Sequence, residues 1–243
     1  MALGRDTRFT WYGHSCWEVR TPGGKTILFD PWFANPMSPR PADQVERCDL
    51  LLVSHGHFDH MGTGDAVAIA RRLAPTWVAI HELSLYLGDL GLPGEVIGMN
   101  KGGTVEAGGI RVTMVPAQHS AGDREGGAAA TFEFGEPVGF VVELENGFRF
   151  YFAGDTTVFG DMRLIAELYR PALALLPIGG HFTMDPRAAA LAVELLGVEH
   201  VLPMHYGTFP ILAGTPAQLR DELAARGRCD VVVHELEPGG SLE

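Results

Sequence analysis

Cysteine is scarce in this chain of 243 residues: Cys16, Cys48 and Cys229 are the three, odd in number and far apart. That argues against a disulfide framework, and no two are spaced as a zinc–thiolate pair. They read as plain buried or half-buried thiols in a reducing compartment. Basic residues are also few, 18 Lys and Arg against 30 Asp and Glu, for a formal net charge of −12. An acidic surface repels phosphate backbones, so broad nucleic-acid or anionic-membrane binding is disfavoured. No apolar run approaches the roughly 20 residues needed to span a bilayer. The opening stretch MALGRDTRFTWYGHS has no apolar segment of the kind a secretory signal carries. The expectation is a cytoplasmic protein with no membrane partner. No low-complexity linker or fixed-period repeat divides the chain, so one domain over residues 1–243 is expected.

What is present is apolar sequence enough for a core, 46% of the chain. Thr26–Phe29, Leu50–Val53, Arg111–Val115, Gly139–Leu144, Phe148–Phe152, Ala172–Leu176, His200–Leu202 and Val231–Val233 read as strands. Asn146-Gly147 is a hairpin signal, with φ > 0 tolerated at both positions. Helices are expected between the strands. Asp185-Pro186 opens one that Gly197 closes, and the Thr215-to-Gln218 capping box opens another that ends at Gly227. Residues 64–74 and 160–170 also look helical. Hairpins mixed with strand–helix alternation suggest an α/β fold of two mixed sheets with helices outside.

Polar residues of metal-ligand type recur just after apolar strands. Asp30 follows TILF, His119 follows RVTMV, Asp155 follows FRFYF, His181 follows LALLPI and His205 follows HVLP. The densest case is LLVSHGHFDHMG, where His55, His57, Asp59 and His60 crowd onto one turn. Strand ends gather along one rim of a sheet, the usual place for a site in α/β proteins. Neutral imidazoles with a carboxylate suit Zn²⁺, Mn²⁺, Fe²⁺ or Ni²⁺ better than Ca²⁺. One ion would leave His119, Asp155 and His205 without a role; two ions sharing the turn use every candidate, as hydrolytic two-metal sites do. A closed structural site, by contrast, needs only four ligands.

HGHFDH resembles the HxHxDH signature of the metallo-β-lactamase superfamily. His119 in VPAQHS, Asp155 in FAGDT and His205 in MHYG follow in that superfamily's order. DPWF, NKGGT, FAGDTTVFGDM, LLPIGGHFTM and PMHYGTFP are similar to its poorly characterised metal-dependent hydrolases, relatives of the ascorbate-6-phosphate lactonase. The resemblance spans roughly residues 8–235. It implies a four-layer αββα sandwich with a metal cleft along one edge. It also implies that His55, His57 and His119 hold a first ion, that Asp59, His60 and His205 hold a second, and that Asp155 bridges them. His57 stands where related diiron flavoproteins carry glutamate, which counts against redox chemistry.

Outside that set, Asp30 is either a strand-end turn residue or a carboxylate that fixes a ligand histidine's tautomer. His14 is either a satisfied half-buried histidine or part of the cleft wall. His181, after two glycines, is expected to contact substrate or developing negative charge, and Asp59 to position water as well as ligate. His81, His200 and His234 read as structural or surface residues. Residues 120–137 are a surface loop or a substrate-selecting lid, and NKGGT is a turn that could alternatively cradle an anion. The expected reaction is hydrolysis of an ester, lactone or related bond in a small molecule, with zinc the first choice of metal. The alternatives are phosphodiester hydrolysis at the same centre and a non-catalytic metal-binding module. A homo-oligomer is compatible with the composition.

Overall fold

The computed structural model describes residues 4, 6–61, 64–123 and 132–243. The first half of the chain supplies β1 (Arg8–Trp11), β2 (Trp17–Arg20), β3 (Thr26–Phe29), β4 (Leu50–Leu52), β5 (Thr76–Ile80) and β6 (Val96–Met99). The second half supplies β7 (Thr104–Ala107), β8 (Ile110–Pro116), the short pair β9 (Gly122–Asp123) and β10 (Phe132–Glu133), then β11 (Val138–Glu143), β12 (Arg149–Phe152), β13 (Leu173–Pro177), β14 (His200–Met204) and β15 (Val232–Val233). A last strand, β16 (Ser241–Leu242), returns to the first sheet.

Among the described residues these form two seven-stranded mixed sheets, β16-β1-β2-β3-β4-β5-β6 and β15-β14-β13-β12-β11-β8-β7. Each is antiparallel at one side and parallel at the other. Directions follow from the pairings. β1 and β3 both run antiparallel to β2, and β4 lies parallel to β3. β8 and β12 both run antiparallel to β11, while β13 and β14 continue parallel to β12. Hence β1, β3 and β4 end on one edge of the first sheet, and β8, β12, β13 and β14 end on one edge of the second.

The sheets face each other across aromatic contacts: Phe29 to Phe152 at 4.7 Å between ring centroids and Phe9 to Phe150 at 5.0 Å. β3, β4 and β13 are buried at every position, as expected of parallel strands covered on both faces. Helices α1 (Phe58–Met61), α2 (Asp65–Leu73), α3 (His81–Asp89), α4 (Met162–Tyr169), α5 (Pro186–Leu196) and α6 (Pro216–Ala225) complete the layers. Their ends are set as the sequence predicts. Asp185 accepts a hydrogen bond from the Ala188 N–H at 2.7 Å, Gly197 takes φ 64°, and Thr215 and Gln218 form a reciprocal capping box. Among the described residues no helix is long and apolar enough to cross a membrane.

Several expectations needed correction. Cys16 and Cys48 are buried, but Cys229 is exposed. At the β11–β12 hairpin only Gly147 takes a positive φ, 80°, with the Gly147 N–H donating to the Leu144 carbonyl and the Leu144 N–H to that of Phe148. That is a wider turn than the two-residue form, which needs positive φ at both positions. β8 is buried along most of its length. β1, β2, β5, β6 and β7 lie in stretches with no clear period, and pairing rather than pattern defines them. NKGGT is the β6–β7 turn, closed by Gly103 N–H to the Asn100 carbonyl at 2.9 Å. Residues 124–131 of the 120–137 stretch lie outside the described residues.

Candidate metal centre

The two rims meet. Seven of the candidate side chains lie on the strand ends predicted, and β1 adds an eighth position, His14. His55, His57, Asp59 and His60 follow β4; His119 follows β8, Asp155 follows β12, and His205 follows β14. The His205 N–H donates to the His14 carbonyl at 2.9 Å, which ties the edges of the two sheets together. His14, Asp30 and His205 all sit at positive φ, 50°, 41° and 54°. Strained non-glycine backbone of this kind persists where surrounding structure over-determines it, and it clusters at functional sites. Gly56 is required for space: an added methyl would stand 2.2 Å from Cδ2 of buried Phe134.

The potential ligand atoms fall into three overlapping groups, each within 4.8 Å: His55, His57 and His119; His14, Asp59, His60 and His205; and His55, His60 and Asp155. Hydrogen-bond accounting fixes several tautomers. Asp30, fully buried, accepts from the Ser54 N–H at 2.7 Å, the Ser54 hydroxyl at 2.6 Å and His60 Nδ1 at 2.6 Å. A carboxylate only accepts, so His60 carries a proton on Nδ1, and Nε2, turned inward, is the nitrogen left for an ion. The Ser54 hydroxyl spends its proton on Asp30, so at 3.0 Å it accepts from His55 Nδ1. His55 Nε2 is therefore the free lone pair, and it lies 2.8 Å from His57 Nδ1. One buried carboxylate thus sets two imidazoles, one directly and one through Ser54.

The fit to a cation rests on orphaned atoms. His205 Nδ1 and Asp155 Oδ1 are buried without a hydrogen bond among the described residues, and His205 Nε2 and His60 Nε2 meet only Asp155 Oδ2, at 3.0 and 3.3 Å and outside good hydrogen-bond geometry. Each such group costs about 1–3 kcal/mol if left bare, and a divalent ion would satisfy the lone pairs together. The donor set of imidazoles and carboxylates suits transition ions, not the all-oxygen shells of Ca²⁺.

Electrostatics in the metal-free chain point the same way. Burial works against charge on His60, but Asp155, Asp30 and Asp59 outweigh it and push its pKa well up. Burial likewise opposes ionisation of Asp155, yet His205 and His60 hold its carboxyl well below the usual range. His55 and His119 are pushed down, mainly by burial. His14 falls to about 4, through burial and then His205. The cluster therefore draws positive charge to its centre, between the carboxylates, where an ion would sit.

The structure brings together His55, His57, Asp59, His60, His119, Asp155 and His205. It does not bring His181 to them. The chain turns at Gly180 and His181, with φ 75° and 60°, and the exposed His181 ring lines a neighbouring hollow. Its neighbour Phe182 lines the hollow over the cluster instead. His14 is more central than the sequence suggested: fully buried, with Nδ1 2.9 Å from Thr208 Oγ1 and Nε2 3.1 Å from Asp59 Oδ2. The signal was available, since His14 follows the apolar run RFTWY as the other candidates follow theirs. Thr208 and Ser54 carried no signal at all. His200 and His234 lie remote from the centre and contact each other, Nδ1 to Nε2, at 3.0 Å.

Paired seven-stranded sheets flanked by helices, with clustered His and Asp on one edge, define a metal-dependent hydrolase of the metallo-β-lactamase class. Residues 25–206 match the beta-lactamase superfamily domain, and the chain belongs to that family. It is 49% identical to a UPF0173 metal-dependent hydrolase of Rubrobacter xylanophilus, over 97% of this chain and 96% of that one. It is 47% identical to the corresponding hydrolase of Koribacter versatilis, over 96% of each. Among solved structures it superposes on Igni18, a metallo hydrolase from Ignicoccus hospitalis, with a TM-score of 0.85, 36% identity and 97% of both chains covered.

Proposed function

We propose that the chain hydrolyses an ester, lactone or related bond in a small molecule, at a centre of two divalent transition ions. Zinc is the first choice; manganese, iron and nickel also suit the donors. The observation that carries this reading is Asp155. Its Oδ2 lies 3.0 Å from His205 Nε2, 3.3 Å from His60 Nε2 and 3.5 Å from His119 Nε2, while its Oδ1 has no partner. A carboxylate standing between two histidine groups suits a bridging ligand. His55, His57 and His119 would hold one ion, and Asp59, His60 and His205 the other. When bound, the ions would bring a water's pKa to about 7 and polarise the substrate oxygen.

The chain's own residues do the rest. Asp30 and Ser54 keep the His60 and His55 lone pairs turned inward. Burial disfavours the Asp59 anion, but His60 and the His14 hydrogen bond hold its carboxyl below the usual range. It therefore stays ionised and accepts a hydrogen bond from the attacking water, orienting the oxygen. That oxygen adds to the acyl carbon, the carbon–oxygen bond to the leaving alcohol breaks, and the water's proton ends on that alcohol. His181, at the outer edge beside Phe182, contacts only the part of a substrate that extends beyond the hollow.

Metal analysis with a panel of esters, lactones and phosphodiesters tests the reading. We expect two ions per chain and turnover that Asp155→Ala or His57→Ala abolishes. Hydrolysis by a folded, metal-free chain would refute it.

A further inference from the structure

We infer that the substrate carries a compact apolar group, aromatic or branched aliphatic, beside the bond that is cleaved. This rests on the hydrolase reading and names its substrate class.

The hollow over the candidate ligands encloses about 390 Å³, near the small end of ligand pockets, about 300–1,000 Å³. Its floor is the His and Asp cluster; its wall is Phe58, Phe182, Phe209 and Leu212. These four come from three separate loops, after β4, β13 and β14, and each loop also presents or adjoins a rim residue. Convergence of unrelated segments on one apolar wall is not a by-product of packing. Phe58 and Phe182 are 47% and 57% exposed, so the fold gains little from them, whereas a ligand in the hollow would cover both. The wall is also braced. Trp32, only 6% exposed, meets Phe58 edge-on at 5.5 Å and lies against Phe209 at 6.0 Å. A braced surface loses little freedom on binding.

The rings line the same hollow as the candidate ligand atoms, which makes a substrate group, rather than a second copy of the chain, their occupant.

The test uses the metal-loaded chain and two matched γ-lactones, unsubstituted and phenyl-substituted. We expect kcat/KM for the phenyl lactone to exceed that of the unsubstituted ring by about tenfold. Phe182→Ala and Phe58→Ala should each lower the phenyl-to-unsubstituted ratio by about 5–30-fold, the worth of part of one buried ring. Metal content, measured alongside, separates this from damage to the centre. Equal kcat/KM for the two lactones, or a ratio unmoved in both variants, overturns the inference. If the loaded chain turns over no ester or lactone, the hydrolytic reading fails on its own. Calorimetry with phenylacetate against acetate then tests the wall alone, and equal affinities overturn it. If the two variants dissociate an oligomer and leave the ratio unmoved, the rings serve a second copy and the inference fails.

Discussion

Replacing Asp30 by Asn changes one atom and tests the tautomer argument directly. In the wild type, Asp30 accepts from the Ser54 N–H, the Ser54 hydroxyl and His60 Nδ1 at 2.7, 2.6 and 2.6 Å. Asn can keep its oxygen on the Ser54 N–H, but an amide NH₂ then faces the hydroxyl and His60. A donor there forces the His60 proton from Nδ1 to Nε2. In that form Nε2 donates toward Asp155, 3.3 Å away, and has no lone pair for an ion. Loss of such an orienting partner typically lowers metal affinity about 10–100-fold, or about 1.4–2.7 kcal/mol. The metal-free fold should lose about 1.5–3 kcal/mol, the worth of a charge-assisted hydrogen bond. Elemental analysis and competition with a chromophoric chelator measure the first quantity, and urea unfolding in a chelator the second. Weakening should fall most on the ion held by His60. An Asp30→Asn chain that binds the same number of ions with wild-type affinity would show that this carboxylate does not orient the centre.

Metal removal should cost stability, because the orphaned His60, His205 and Asp155 atoms lose what satisfies them. At a thousandfold excess over Kd each ion contributes about 4 kcal/mol, a rise in Tm of about 8–16 °C for a chain of this size, readable by calorimetry with and without chelator. In the stripped protein, His14 stays neutral down to about pH 4, whereas an unfolded histidine protonates near about 6.5. Its stabilisation is therefore complete above pH 6.5 and is lost as pH falls to 4, amounting to about 3 kcal/mol. His14→Gln should flatten the stability profile across that window by up to this amount, and an unchanged profile would contradict the assignment. Gly56→Ala, which presses on Phe134, should cost about 1–3 kcal/mol in unfolding free energy and reduce activity together with it. His181→Ala should raise KM for long substrates while kcat for compact ones holds, and an equal loss for both would return His181 to the reacting centre.

The repeated motif of apolar strand followed by His or Asp was legible because the strand ends are the fold's own rim. Each of the seven ligand candidates could be picked by type and position alone. What failed was orientation. GGHF places two adjacent side chains at the rim, and nothing in the letters says that a left-handed step at His181 turns that ring aside and gives Phe182 the hollow. His14 was half visible, since RFTW is too short to show a period and only the antiparallel partners of β2 reveal that β1 ends on the same edge as β3. Ser54 was invisible: its role depends on an Asp30 carboxylate 24 residues earlier in the chain. Helix ends were the easiest features, because caps are local chemistry, whereas β5 owes its existence to β4 and β6, each about 20 residues or more away along the chain.

The division of the two sheets has a further meaning. Among the described residues, 8–99 build nearly all of one sheet and 104–233 the other, with only β16 crossing back. His14, His55, His57, Asp59 and His60 belong to the first span, and His119, Asp155 and His205 to the second. Neither half owns a complete set of donors. An ion held at this centre is therefore a clasp across the seam of the molecule, and its binding strength gauges how firmly the halves are closed. A substitution deep between Phe29 and Phe152 that loosens the seam should weaken metal capture without touching a single ligand.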